Sequence, residues 1–232
     1  TKNGISITTL NCQSLQSHRL DLSDSVIQKT NFLLLSETWM SNDEQFDIPN
    51  FNCIAHFKRD YVRTGGVAIY QNSNDTTNIL TPNMDIILKN TGDVNVRRTG
   101  VGDICSAICK TNNGVEIVMV IVYISPNTKI EDVKDFIHRA LIEYTDEVPD
   151  ILGGNFHQLP MVLSGDFNIN FADEKSEPLR TFLLEKFKLH INNNPKESTT
   201  RYGTTIDAVF SRYLHKIESQ TYVSYFSYHK PI

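Results

Sequence analysis

The chain is poor in cysteine, with four among its 232 residues, and it holds one tryptophan. Cys12, Cys53, Cys105 and Cys109 are too few for a disulfide framework in a chain long enough to build its own core, so they read as free thiols. A zinc site is equally unsupported. Cys105 and Cys109 are the only close pair, and no further ligands stand at motif spacing. Four residues apart on an alternating strand, they share a face, where cysteine packs as a small hydrophobe. Long apolar runs are also missing: residues 117–124 form the longest, far short of the roughly 18 that suggest a membrane span, and no secretory-type leader precedes Ile5. A soluble chain is expected. Positive charge is scarce, since 22 Lys and Arg against 27 Asp and Glu leave a net charge of −5. A polyanionic partner must then be met by a local basic patch or a bound cation, not by a generally basic surface. Hydrophobic residues make up 40% of the chain, which excludes a disordered polymer.

What is present alternates between two periods. Residues 5–10, 32–35, 67–70, 104–109, 116–124, 161–163, 206–210 and 221–226 are short β-type runs. Several are apolar nearly throughout, as in strands covered on both faces. Helical spacing is expected over residues 20–27, and over Val133, Phe136, Ile137, Ala140, Leu141 and Tyr144. A further helix starts near Pro178, with Ser176 as its cap, and runs through Phe187. Residues 71–102 are polar and read as a long hairpin or surface loop, with Arg97 and Arg98 near its end. With no repeat or interdomain linker, residues 1–232 are read as one α/β domain.

The polar residues that could carry chemistry stand at strand ends. Asn11 closes the first run and Glu37 the second, where a carboxylate emerging from apolar sequence needs solvent, a partner or a cation. Asp166 and Asn168 follow residues 161–163, Asp207 lies inside an apolar run, and His229 comes near the C-terminus. Three carboxylates, two carboxamides and a histidine suit a hard cation beside an acid or base pair, the chemistry of metal-assisted phosphate-ester hydrolysis. Mg²⁺ fits a sparse ligand set because it keeps several waters. No Gly-x-Ser-x-Gly elbow is present, and the pairs Gly65-Gly66 and Gly153-Gly154 lack the rest of a phosphate-loop or dinucleotide fingerprint.

In order along the chain, Leu10-Asn11, Leu35-Ser36-Glu37-Thr38, Ser164-Gly165-Asp166-Phe167-Asn168, Ile206-Asp207 and Ser227-Tyr228-His229 resemble the endonuclease/exonuclease/phosphatase family. The resemblance spans nearly the whole chain. Residues 63–70 (RTGGVAIY) and 202–207 (YGTTID) look especially like the apurinic-endonuclease-like domains of eukaryotic mobile elements, which adjoin a reverse transcriptase or helicase. The resemblance implies a four-layer α/β sandwich of two packed mixed β-sheets flanked by helices. It also implies a Mg²⁺- or Mn²⁺-dependent phosphodiesterase that nicks DNA by attack of water at phosphorus. Glu37 would hold the metal with Asn11 nearby, Asp166 would orient or deprotonate the water, and Asn168 and Tyr123 would contact the scissile phosphate, assisted by Asn127. Asp207 would pair with His229, and either Asp166 or His229 would accept the proton. Lys58, Arg59 and Arg63 interleave with aromatic residues and suit DNA contacts. Nuclear action and excision from a longer polypeptide follow from the same resemblance, with no membrane partner expected.

The sequence departs from the family at two places. Tyr228 stands where the family usually has Asp before its His, and Gln13 stands where many apurinic-site enzymes have Asp. Both departures remove acidic support for a cation. They leave open a catalytically impaired DNA-binding domain, beside a hydrolase of another phosphodiester such as RNA or a phospholipid headgroup.

Overall fold

The computed structural model describes residues 4–44, 46–60, 62–75, 78–80, 100–111, 113–147 and 155–232. Two β-sheets pack face to face. The first has the order β1 (Ile7–Asn11), β2 (Phe32–Ser36), β4 (Val67–Asn72) and β3 (Phe51–Phe57). The second runs β5 (Asn78–Leu80), β6 (Gly102–Lys110), β7 (Glu116–Ile124), β8 (Met161–Asp166), β10 (Asp207–Arg212) and β9 (His190–Ile191). Both sheets mix parallel and antiparallel pairs: β1 with β2 and β7 with β8 run parallel.

The apolar strand sequences follow from burial on both faces. In β7 the side chains of Val118, Val120, Val122 and Ile124 face the helices, while Ile117, Met119, Ile121 and Tyr123 lie between the sheets. Each fully buried aliphatic side chain contributes about 1.5–3 kcal/mol. Cys105 and Cys109 share the inter-sheet face, as their spacing predicts, and all four cysteines are free. The outer layer on the second sheet is α2 (Ile130–Leu141) and α3 (Glu177–Phe187). Glu131 and Asp132 in the first turn of α2, with His138 and Arg139 in its last, complement the helix dipole. The other outer layer is built from α1 (Leu15–His18) and short 3₁₀ turns that bury Leu15, Leu22 and Ile27.

Three expectations are corrected. Residues 20–27 form no α-helix; 3₁₀ turns stand at Asp21–Ser23 and Ile27–Lys29, because the Asp24 carboxylate accepts from Val26 N (2.8 Å) and diverts the backbone from helical bonding. Residues 221–226 form no strand: the alternation is there, but no ladder partner is found among the described residues, and Tyr225 is 93% exposed. Ser176 precedes α3 without capping it, since its hydroxyl donates to Asp173 O (2.8 Å). Within 71–102, which reads as a long hairpin or surface loop, residues 78–80 form strand β5, paired antiparallel with β6, and Arg97 and Arg98 lie outside the described residues. Strand β3 is absent from the expected runs, although Phe51, Cys53, Ala55 and Phe57 alternate.

Arg212 fastens the helical layer to the second sheet. It is 3% exposed and ends β10, with Nε donating to Leu159 O (2.9 Å), Nη1 to Tyr144 O (2.8 Å) and Phe187 O (3.1 Å), and Nη2 to Phe156 O (3.0 Å). Tyr144 and Phe187 end a 3₁₀ turn and α3, and Leu159 follows a second 3₁₀ turn, places where backbone acceptors run out of partners within the element, while Phe156 O also accepts from Leu159 N (3.2 Å). Arg212→Met is expected to cost about 3 kcal/mol or more, because an unmet buried polar group costs about 1–3 kcal/mol. Urea unfolding measures this, and a loss below about 1 kcal/mol would show that water replaces the guanidinium.

Candidate active site

The candidate residues meet at one end of both sheets. β1 and β2 run parallel, so Asn11 stands beside Ser36, just before Glu37. In the other sheet Asp166 is the register partner of both Tyr123 on β7 and Asp207 on β10. Gly165 makes that register possible: at φ 141° its missing Cβ would lie 1.9 Å from Val122 O, so any side chain would push β8 off β7.

Hydrogen bonds then join the two sheets across the site. Asn11 Nδ2 donates to Asp166 Oδ2 at 2.8 Å, and Asn168 N donates to Asp166 Oδ1 at 2.9 Å. His229 Nδ1 lies 2.8 Å from Asp207 Oδ2, and its Nε2 lies 3.8 Å from Asp166 Oδ2. Nε2 is buried and has no hydrogen-bond partner among the described residues. The C-terminal segment carrying His229 is held by paired bonds between Thr9 and Ile232 (2.9 and 3.0 Å) and by a bridge between Thr200 and His229. Gln13 serves to hold that segment as well, since its Oε1 accepts from Ser227 Oγ (3.3 Å) and from Tyr228 N (3.4 Å).

Burial sets the electrostatics. It raises Asp166 to about 8, and the charge of Asp207 adds to this, against the opposing pull of His229 and the donors on Asn168 and Asn11. For His229 burial works downward, but the bond to Asp207 and the charges of Asp207, Asp166 and Glu37 outweigh it and lift the imidazole above its ordinary value. Burial raises Tyr123, and the charges of Glu37 and Asp166 add to this, so Tyr123 stays protonated. Glu37 itself is partly exposed at φ 51°, a left-handed turn that lifts it off the end of β2.

Other expected site residues fall elsewhere. One amide N–H of Asn168 is engaged with Ile124 O (2.8 Å). Asn127 is exposed beyond β7 and lines a cavity of about 500 Å³ with Gly100, Lys129, Asp132 and Arg139, none of which belongs to the cluster. Lys58 is partly exposed and Arg63 exposed. Arg59 is a correction: only 8% exposed, it is committed to Asp103, with Nε 3.1 Å from Oδ1 and Nη2 3.3 Å from Oδ2, and so is withdrawn from the surface.

Asp103 is the residue that the sequence does not reveal. It is fully buried, and besides the guanidinium it accepts from Arg59 N (2.7 Å) and Gly66 N (2.9 Å). Gly65 at φ 95° lies so close that a Cβ would sit 2.6 Å from Asp103 Oδ2 and 3.3 Å from the Tyr123 ring. The carbonyls of Gly65 and Gly66 in turn accept from Trp39 N (2.8 Å) and Thr38 N (3.2 Å), fixing the backbone directly after Glu37. Asp103 is also the register partner of Tyr123. A buried ion pair thus braces two of the candidate site residues from behind.

No protein-family model matches the chain, and no curated protein matches it in sequence. Solved structures do match. The human Nocturnin catalytic domain with bound sulfate is 14% identical at a TM-score of 0.60, covering 98% of this chain and 90% of that one. An endonuclease/exonuclease/phosphatase from Beutenbergia cavernae is 13% identical at 0.59, covering 98% and 69%. An AP endonuclease from Archaeoglobus fulgidus is 13% identical at 0.58, covering 98% and 97%. With its two mixed sheets and flanking helices, this chain has the endonuclease/exonuclease/phosphatase fold.

Proposed function

We propose that this protein is a metal-dependent phosphodiesterase that nicks DNA, acting as the endonuclease of a eukaryotic mobile element. One observation carries the chemistry: Asp166 and the unpaired Nε2 of His229 converge on one space, each held from behind, Asp166 by Asn11 and His229 by Asp207. Such an arrangement orients charge and proton acceptors before substrate arrives. DNA is supported by the likeness to an AP endonuclease, and the mobile-element reading by residues 63–70 and 202–207. Nuclear action and a linked reverse transcriptase or helicase belong to the same reading. No described helix is long and apolar enough to cross a membrane.

The donor set fits a hard cation. Asp166, Asp207 and His229 each place a ligand atom within 4.8 Å of the others, but Asp207 Oδ2 and His229 Nδ1 are engaged with each other. Glu37, Asn11 and Asp166 would hold Mg²⁺ or Mn²⁺ through oxygens that keep a further lone pair, although Asn11 Oδ1 already accepts from Gln13 N (3.1 Å) and the Asp166 oxygens from Asn168 N and Asn11 Nδ2. When bound, the cation supplies Lewis-acid polarisation of a phosphate oxygen. Asp207 fixes the imidazole tautomer, and the protonated Nε2 of His229 donates to a phosphate oxygen as charge grows there. In its ionised form, which its raised pKa confines to the upper end of the pH range, Asp166 orients water for attack and accepts its proton, while Asn168 and Tyr123 offer N–H and O–H to the phosphate.

A second reading has one observation in its favour. Tyr228, in place of the family's Asp, packs on His229 with ring centroids 4.2 Å apart, which suits a catalytically impaired domain that binds DNA without cutting it. Supercoiled plasmid incubated with Mg²⁺, and with EDTA in parallel, separates the two. The expected result is open-circular product only with the metal; binding without product under any metal would select the second reading.

A further inference from the structure

The outer edge of the site carries an aromatic pair that the proposed chemistry does not use. Tyr202 is 79% exposed and its ring centroid lies 5.4 Å from that of Tyr228, which in turn lies 4.2 Å from His229. The exposed ring is not on a loose loop. Thr200 Oγ1 accepts from Tyr202 N (3.3 Å) and Thr204 N (3.2 Å) and bonds the Thr204 hydroxyl (2.7 Å), closing the turn. Arg201 N donates to Tyr228 O (2.9 Å) and Lys230 N to Thr199 O (2.7 Å), so the turn is fastened to the segment that bears His229. A rigid, solvent-facing aromatic step beside the reacting groups has lost conformational freedom without gaining burial, and a flat ligand face supplies the missing contact.

We propose that Tyr202 and Tyr228 form a stacking platform for a nucleobase lying outside a duplex stack, on a nucleotide next to the scissile phosphate. This rests on the phosphodiesterase reading above, since it places the phosphate at Asp166 and His229. It narrows the substrate to nucleic acid that is single-stranded or locally unpaired there, because a base inside a duplex has no free face. Phospholipid headgroups and sugar phosphates carry no aromatic face to match.

The test compares two end-labelled oligomers of equal length and charge in EDTA: single-stranded oligodeoxythymidylate, and a strand built only of abasic residues. Fluorescence anisotropy is expected to show the parent binding the base-bearing strand roughly tenfold more tightly, which lies within the range for one stacked base. Tyr202→Ala is expected to abolish that preference and Tyr202→Phe to keep it, since the ring and not the hydroxyl stacks. Both variants alter an exposed side chain and should melt with the parent. Equal affinity of the parent for the two strands, or an undiminished preference in Tyr202→Ala, overturns the platform. Plasmid cleavage with Mg²⁺ is scored separately. A parent that cuts without base preference overturns the platform and leaves the phosphodiesterase reading intact. Base preference in a protein that cuts nothing supports the platform and removes that reading.

Discussion

Asp166→Asn is expected to slow phosphodiester cleavage by about 100- to 10,000-fold, the range typical of a lost general base, with the fold retained. The substitution keeps the shape of a side chain that is 1% exposed and bonded to Asn11 and to the backbone of Asn168. Its amide oxygen can still accept one of those bonds. What it removes is the capacity to take a proton and a negative charge placed close to Asp207. Burial and repulsion from Asp207 raise Asp166 to about 8, so above that pH the substitution removes a buried charge and thermal stability there should equal or exceed the parent's. Rate and melting temperature measured together check this. A variant with near-parental rate would remove Asp166 from the chemistry, and one that is slow because it is unfolded would make it a structural residue.

Asp103→Ala is expected to lose about 3–5 kcal/mol of stability, the cost of leaving one partner of a buried ion pair alone. Asp103 answers three donors on Arg59 and one on Gly66, so its loss strands a buried guanidinium and frees the turn at Gly65 and Gly66. The double variant Arg59→Met with Asp103→Leu should recover much of that loss by replacing the pair with apolar volume. Denaturant unfolding of the single and double variants gives the comparison. A single variant within about 1 kcal/mol of the parent would mean that water reaches the guanidinium. The double variant has a second use: its fold restored but its metal response weakened would show that the pair also positions the backbone after Glu37. The fluorescence of Trp39, the only tryptophan, two residues beyond Glu37, reports Mn²⁺ binding there without reference to cleavage.

The strands buried on both faces were legible because burial writes itself locally: the runs at 32–35, 104–109 and 116–124 carry apolar residues where both faces meet protein. The same logic misled at 20–27 and 221–226, where apolar spacing exists but backbone bonding is decided by Asp24 in the first case and by the lack of a strand partner among the described residues in the second. Asn11, Asp166 and Asp207 could be singled out because carboxylates and amides that end or interrupt apolar strands need partners, and His229 only in company with them. Which partners they take was a matter for the tertiary structure, since Asn11 and Asp166 lie 155 residues apart and Asp207 and His229 lie 22 apart. Arg59 shows the limit most sharply. Its neighbours in sequence make it look like a surface phosphate contact, and only the packing of β6 against the turn before β4 brings Asp103, 44 residues away, to claim it. Tyr228 stands out in sequence as a departure from the family pattern and Tyr202 as part of residues 202–207, but that their rings meet is seen only in the tertiary structure. Local chemistry fixes which residues need a partner or a covered face, whereas the choice among distant partners depends on how two sheets close on each other, and that is a property of the whole chain.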